Sequence, residues 1–168
     1  DVRSTFLSLV TKTYPHLPGS PHEKEVLEFL PDLTMDKFDN YYKIIEGDDT
    51  TMFTSHLDTA DRTQVDTKLL SKMEDGDEYI YTDGTSILGA DDKAGVAVML
   101  YMMENKIPGI YYFFIGEERG GIGSRKLSDG WDSVSYVSDI KRCISFDRRK
   151  TNSVITYQMG RQCCSDEF

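Results

Sequence analysis

Four short stretches carry polar residues that an ordinary protein interior would not choose. The first is Ser55-His56-Leu57-Asp58-Thr59, directly after an apolar segment. In extended chain, side chains two apart project to the same side, so His56 and Asp58 share a face. A histidine placed this way can bind a metal through one ring nitrogen while the carboxylate holds the other. The plain alternative is a histidine salt-bridged at a strand end. The second is the adjacent pair Asp91-Asp92 within the run from Thr82 to Gly95. Its glycines and small residues bring the backbone close to two carboxylates, just ahead of the apolar run Val96 to Met103. A helix N-terminus favours such a charge. Two of them beside apolar sequence ask for something more positive, a divalent metal above all. Helix capping by Asp92 is the competing reading.

The third stretch is Gly116-Glu117-Glu118-Arg119-Gly120-Gly121-Ile122-Gly123-Ser124, after the most apolar segment in the chain. Neighbouring glutamates at a strand end point in different directions, so one can ligate a metal while the other stays free as a general base. The bland reading is a solvated acidic turn, against which the glycines argue for close backbone approach. The fourth is Phe146-Asp147-Arg148, a carboxylate closing a strand. One histidine with several carboxylates suits zinc or a similar divalent ion.

These side chains need elements to position them. Val2 to Tyr14 places Phe6, Leu9, Val10 and Tyr14 on one helical face. Ser20-Pro21-His22-Glu23 reads as a capping box opening a second helix that buries Val26, Leu27 and Leu30 and stops at Pro31. His16 and His22 are expected to be solvated. Tyr41–Ile45 and Thr51–Ser55 read as strands of a hairpin around Gly47-Asp48-Asp49, and Asp61 to Asp77 as polar and irregular. Tyr79–Tyr81 is a short strand, Ile110–Ile115 a strand covered on both faces, and Arg142–Phe146 and Val154–Met159 two more. Helices alternating with buried strands predict a layered α/β fold with a mixed, mostly parallel sheet flanked by helices. In such sheets, sites form outside the carboxyl ends of strands, and all four stretches fall there.

The chain has 168 residues, enough for one domain with a sizeable core. Its net charge of -10 argues against a nucleic-acid partner. No run of eighteen apolar residues is present, so no membrane span is expected. Cys143, Cys163 and Cys164 form no zinc-finger spacing and read as reduced, structural thiols. With no visible signal peptide, they point to a cytoplasmic setting.

Taken in order, the four stretches resemble the co-catalytic dizinc exopeptidases and amidohydrolases, which include tripeptide aminopeptidase (peptidase T), carboxypeptidase G and aminoacylase. Leu88-Gly89-Ala90-Asp91-Asp92-Lys93-Ala94-Gly95 is especially similar to the tripeptide aminopeptidase version. The likeness runs from the first helix to about Met159. It implies a three-layer α/β sandwich and a metal-dependent hydrolase of peptide (amide) bonds, most of all an aminopeptidase on short peptides. An N-acyl amino acid deacylase is the alternative. By the same resemblance, His56 and Asp147 would hold one metal, with Asp58 clamping the imidazole. Asp91 would bridge both metals, through a peptide bond to Asp92 that is often cis in this family. Glu118 would hold the second metal, and Glu117 would be the general base. Two divalent ions are implied, zinc first, with cobalt or manganese as substitutes. The implied partners are a short peptide or N-acyl amino acid substrate and a second copy in a homo-oligomer.

The chain departs from that pattern in one respect. The family uses a further histidine on the second metal, from near the end of the catalytic domain. Here the histidines are His16, His22 and His56, and none follows Asp147. Nor is there room for the lid or dimerisation domain that many members insert. Ser165-Asp166-Glu167-Phe168 reads as the first turn of a helix, and the chain starts at Asp1 rather than Met. It is therefore expected to be the N-terminal part of a longer catalytic domain, truncated at its C-terminus. The competing readings are a ligand supplied by another chain and a catalytically inactive metal-binding or structural relative.

Overall fold

The computed structural model describes residues 1–158 and 160–166. In chain order the elements are α1 (Val2–Leu9), the short ladder of β1 (His16–Leu17) and β2 (Ser20–Pro21), a 3-10 segment (His22–Phe29), β3 (Thr34–Met35), β4 (Tyr41–Ile45) and β5 (Thr51–His56). Then come β6 (Leu69–Glu74), β7 (Asp77–Thr82), α2 (Ala90–Glu104), β8 (Gly109–Phe114) and α3 (Ile122–Asp129). The last are β9 (Arg142–Ser145), β10 (Tyr157–Gln158) and β11 (Arg161–Gln162).

Five strands form one mixed sheet in the order β3-β4-β8-β5-β9. β8 lies at its centre because its side chains are apolar on both faces. Tyr111 and Phe113 join Phe53 and the buried residues of α1 and α2 in one core cluster. Ile110 and Tyr112 point the other way, with Met52, Leu127, Val134 and Val137. An alternating strand could not satisfy both faces. The pairings of β8 with β5 and of β5 with β9 are parallel, those of β8 with β4 and of β4 with β3 antiparallel. The sheet is thus half parallel rather than mostly so.

The expected hairpin between Tyr41–Ile45 and Thr51–Ser55 does not form. β8 inserts between them, Tyr42 pairing with Tyr112 on one side and Thr54 with Tyr112 on the other. The most apolar strand takes the interior position, and chain neighbours are driven apart. The polar Asp61–Asp77 segment is not irregular throughout: Leu69–Glu74 pairs with Asp77–Thr82 in an antiparallel hairpin. α1 stops at Leu9, short of the expected Tyr14, because the next residues find strand-like partners. Thr13 N donates to the Val65 carbonyl at 2.9 Å and Thr67 N to the Thr11 carbonyl at 2.9 Å. Tyr14 is still fully buried. The capping box is absent, since no side chain caps the His22–Phe29 segment and Glu23 turns inward instead. Of the expected Val154–Met159 strand only Tyr157–Gln158 is extended, in an exposed ladder outside the main sheet. Met159, Glu167 and Phe168 lie outside the described residues. Cys143 and Cys163 are exposed free thiols rather than buried ones. Among the described residues no helix is long and apolar enough to cross a membrane.

Candidate metal centre

Parallel register places three strand ends side by side. His56 of β5 pairs with Phe114 of β8, and Thr54 of β5 with Ser145 of β9. The segment after each strand therefore emerges at one edge: Leu57-Asp58 after β5, Gly116 to Glu118 after β8, Phe146-Asp147 after β9. Gly116 turns the chain at φ 59, a conformation that favours glycine, straight into the 3-10 turn of Glu117–Arg119. α2 supplies the remaining carboxylate. Its first turn is not helical at Asp91 and Asp92, and the peptide bond between them is cis.

The two neighbouring aspartates have different fates. Asp92 is 2% exposed, and its Oδ1 accepts the Gly95 amide at 3.1 Å, capping the regular part of the helix. A Cβ on Gly95 would lie 2.5 Å from that oxygen, so only glycine fits there. Asp91 projects outward, its side chain 69% exposed, with Oδ1 at 3.0 Å from His56 Nε2.

All six residues singled out in the sequence come together. The His56 imidazole is 2% exposed, with Nδ1 at 3.3 Å from Asp58 Oδ1 and Nε2 at 3.9 Å from Glu117 Oε2. The Nδ1 contact is ion-pair close but not aligned as a hydrogen bond, and that buried nitrogen has no hydrogen-bond partner. Asp58 also ties the β8 turn to β5, because its two oxygens accept the amides of Glu117 at 2.9 Å and Glu118 at 3.1 Å. Ligand atoms of His56, Asp91 and Glu118 lie within 4.8 Å of one another, as do those of His56, Glu117 and Asp147. His56 belongs to both groups, so the cluster is assembled without being divided into two separate ligand sets. His16 and His22 stand apart from it.

The charge balance shows what this cluster lacks. Among the described residues no lysine or arginine forms an ion pair with Asp91, Glu117, Glu118 or Asp147; His56 is the basic side chain within ion-pair distance of Asp91 and Glu117. Burial works against a charge on His56, but Asp58 and Asp91 outweigh it and lift its pKa to about 10. Its hydrogen bond holds Asp91 below the usual carboxylate range. Burial, with the Asp91 charge alongside, pushes Asp147 up to about 6. Burial raises Glu118 as well, and Asp91 adds to it. Like charges packed this closely cannot all ionise unless a cation joins them. A set of carboxylate oxygens, two of them half-exposed or more, gathered on the Nε2 side of one imidazole fits a divalent ion.

Beneath the cluster lies a layer that the sequence motifs do not announce. Lys93 is fully buried, its Nζ donating to the Leu57 carbonyl at 2.5 Å and lying 5.2 Å from the centre of the Tyr14 ring. Burial lowers its pKa to about 8. Glu23 is also fully buried, paired with His16 Nδ1, so His16 is not the solvated histidine expected, while His22 is partly exposed and paired with Glu25. A lysine inside an otherwise small and apolar string was the available signal.

The chain resembles known proteins over part of its length. It is 42% identical over 95 residues to an uncharacterized protein, YqjE, of Bacillus subtilis (strain 168), a match covering 52% of this chain and 24% of that protein. It is 39% identical over 74 residues to a peptidase T-like protein of Yersinia pestis, covering 40% of this chain and 18% of the other. The matches thus span a quarter or less of these relatives. No family model matches, and no solved structure gives a significant match. The second likeness points towards a peptidase-type hydrolase.

Proposed function

We propose that this chain carries the centre of a metal-dependent hydrolase of amide bonds, acting as an aminopeptidase on short peptides. The observation that carries this reading is the convergence of Asp91, Glu117, Glu118 and Asp147 on a single imidazole with no lysine or arginine among them. The partial likeness to a peptidase T-like protein supports it. His56, Asp91, Glu118 and Asp147 would hold the divalent ions, zinc in the first place and two in number. Bound there, the metal supplies Lewis-acid activation of water and of the amide carbonyl.

The chain's own residues do the rest. Glu117, half-exposed beside the imidazole, takes a proton from the attacking water and returns it to the leaving amine. Asp58 orients His56 from the buried side and, through the two amides it accepts, holds Glu117 and Glu118 on the rim. Lys93 braces the Leu57 carbonyl between His56 and Asp58.

Glu117→Gln tests this. Hydrolysis of Ala-Ala by the zinc-loaded protein should fall by about a thousandfold, general acid–base catalysis typically contributing about 10²–10⁴. Zinc content, measured by atomic absorption after dialysis, should stay the same. Unchanged turnover removes Glu117 as the base, and a wild-type protein that retains no metal removes the reading altogether.

A further inference from the structure

The elements that carry the candidate ligands are not held in the same way. His56 lies on β5, and Glu118 and Asp147 follow β8 and β9, three strands joined by backbone ladders. Asp91 lies on α2, a helix that shares no ladder with them. Apolar side chains such as Val96 and Met99 pack α2 into the core, but burial of that kind has no direction. The place of Asp91 opposite β5 therefore depends on polar ties.

Two such ties flank the ligand pair. Ser55, His56 and Leu57 are consecutive, and each meets one residue at the start of α2. Ser55 Oγ donates to the Asp92 carbonyl at 3.4 Å, His56 Nε2 stands 3.0 Å from Asp91 Oδ1, and the Leu57 carbonyl accepts Lys93 Nζ at 2.5 Å. The lysine tie is the stronger of the two, being short, charged and wholly out of water. Lys93 also begins the regular part of α2, directly after the non-helical Asp91 and Asp92.

The partner of this ammonium is unusual. Asp58, Asp92, Glu23 and Asp91 all act on it through space, Asp58 most strongly. Among the described residues none of them stands within ion-pair distance of it, and its hydrogen bond goes to the backbone of the histidine turn. Neutralising a buried acid calls for direct pairing, whereas gripping a carbonyl fixes where two stretches of backbone meet.

We propose that Lys93 is a positioning residue of the candidate metal centre: by gripping the Leu57 carbonyl it fixes Asp91 of α2 opposite His56 of β5, and so sets how tightly a divalent ion is held. This role rests on the metal-dependent reading above. Its effect passes through Asp91.

The test titrates cobalt(II) into the EDTA-treated protein against a competing chelator and follows the visible absorption of the bound ion. Four proteins are compared: wild type, Lys93→Met, Asp91→Asn and the double variant. Methionine keeps an unbranched side chain and removes the charge. Lys93→Met should weaken cobalt binding by about 10- to 100-fold, the usual cost of losing a group that orients a metal ligand. Its absorption band should move towards that of Asp91→Asn, since both substitutions take the Asp91 carboxylate out of place. In the Asp91→Asn background the same change should cost less than about threefold, because the residue it positions is already lost. A lysine that only stabilises the fold would lower the urea midpoint and leave the cobalt affinity of the folded protein unchanged; that result overturns the proposal. So do losses that multiply in the double variant. Should Lys93→Met fail to fold, Lys93→Met with Glu23→Gln removes one buried ionisable group of each sign and enters the same comparison with the same outcomes. A wild-type protein that binds no cobalt overturns the metal reading and the clamp with it. A wild type that binds cobalt no more tightly than Lys93→Met loses the clamp alone.

Discussion

All three histidines of this chain meet a carboxylate, and the two more deeply buried, His16 and His56, are built to opposite balances. His16 faces one acid, the fully buried Glu23, and its carbonyl accepts Arg119 Nε at 3.4 Å. One base, one acid and a nearby cation come close to balance, with only the buried Glu23 Oε2 left without a hydrogen-bond partner. His56 faces Asp58 on one nitrogen and Asp91 and Glu117 on the other, with Glu118 and Asp147 within reach. Five acids crowd one imidazole, and Asp147, pushed up by burial and then by the Asp91 charge, holds its proton up to about 6. A histidine–carboxylate contact alone therefore says little about function. The number of acids left over does.

The largest effect should come from the one residue the open cluster cannot lose. Asp58 is fully buried, accepts two amides and lies beside His56 Nδ1. Asp58→Ala orphans those groups together and should cost about 3 kcal/mol of unfolding free energy in urea, in line with breaking a buried charged network. Asp58→Asn keeps an acceptor and should recover about half. A loss under about 1 kcal/mol would mean that Asp58 merely fills space beside His56.

How much of this was legible in the residues depends on distance along the chain. His56 with Asp58, Asp91 with Asp92, and Glu117 with Glu118 are local pairs placed just after or beside apolar segments, and strand ends in an α/β sheet meet at one edge. Those pairs could be read. What was not legible is non-local. Nothing in Tyr41–Ser55 says that β8 slides between β4 and β5, because that choice depends on the apolar content of a segment more than fifty residues later. Glu23 close to a proline reads as a cap, yet its carboxylate goes to His16 seven residues earlier. Tyr79–Tyr81 reads as a strand, but its partner Leu69–Glu74 does not, because that strand is almost wholly exposed and the pairing, not burial, makes it.

The charge imbalance should also invert the usual response to acid in the EDTA-treated protein. Burial raises Asp147 to about 6 and Asp92 to about 7, both from an ordinary value near 3.8. Between about pH 4 and 7 the folded state then holds more protons than the unfolded, so stability falls as pH rises. His56, lifted to about 10, contributes stability that is complete below about pH 6.5 and is lost as pH climbs through 10. At the low end, Lys12 above all holds Glu25 down to about 2, so its contribution is present above about pH 4.5 and is lost towards 2. The urea midpoint should peak at about pH 4 to 5 and decline above it. Saturating zinc should flatten or reverse that decline, since the metal takes the place of the protons. A midpoint that rises from pH 5 to 7 without metal contradicts the reading.

The smallest effect is the most direct comparison of the two histidines, because the same substitution should act with opposite sign. Glu23→Gln removes the one carboxylate that meets His16, a group that burial also pushes towards its neutral form but that has no other acid beside its partner, and should destabilise by about 1 kcal/mol. Glu118→Gln removes one charge from an excess, a group that burial and Asp91 already push towards its neutral form. The metal-free protein should gain about 0.5 kcal/mol, as sites held in a strained charge state commonly do when relieved. Zinc should reverse the second result and leave the first untouched: the wild type is stabilised by the metal more than Glu118→Gln is, while Glu23→Gln keeps its deficit. If both variants lose stability equally in EDTA, the acids around His56 are no more frustrated than the one beside His16, and the case for a metal there fails with them.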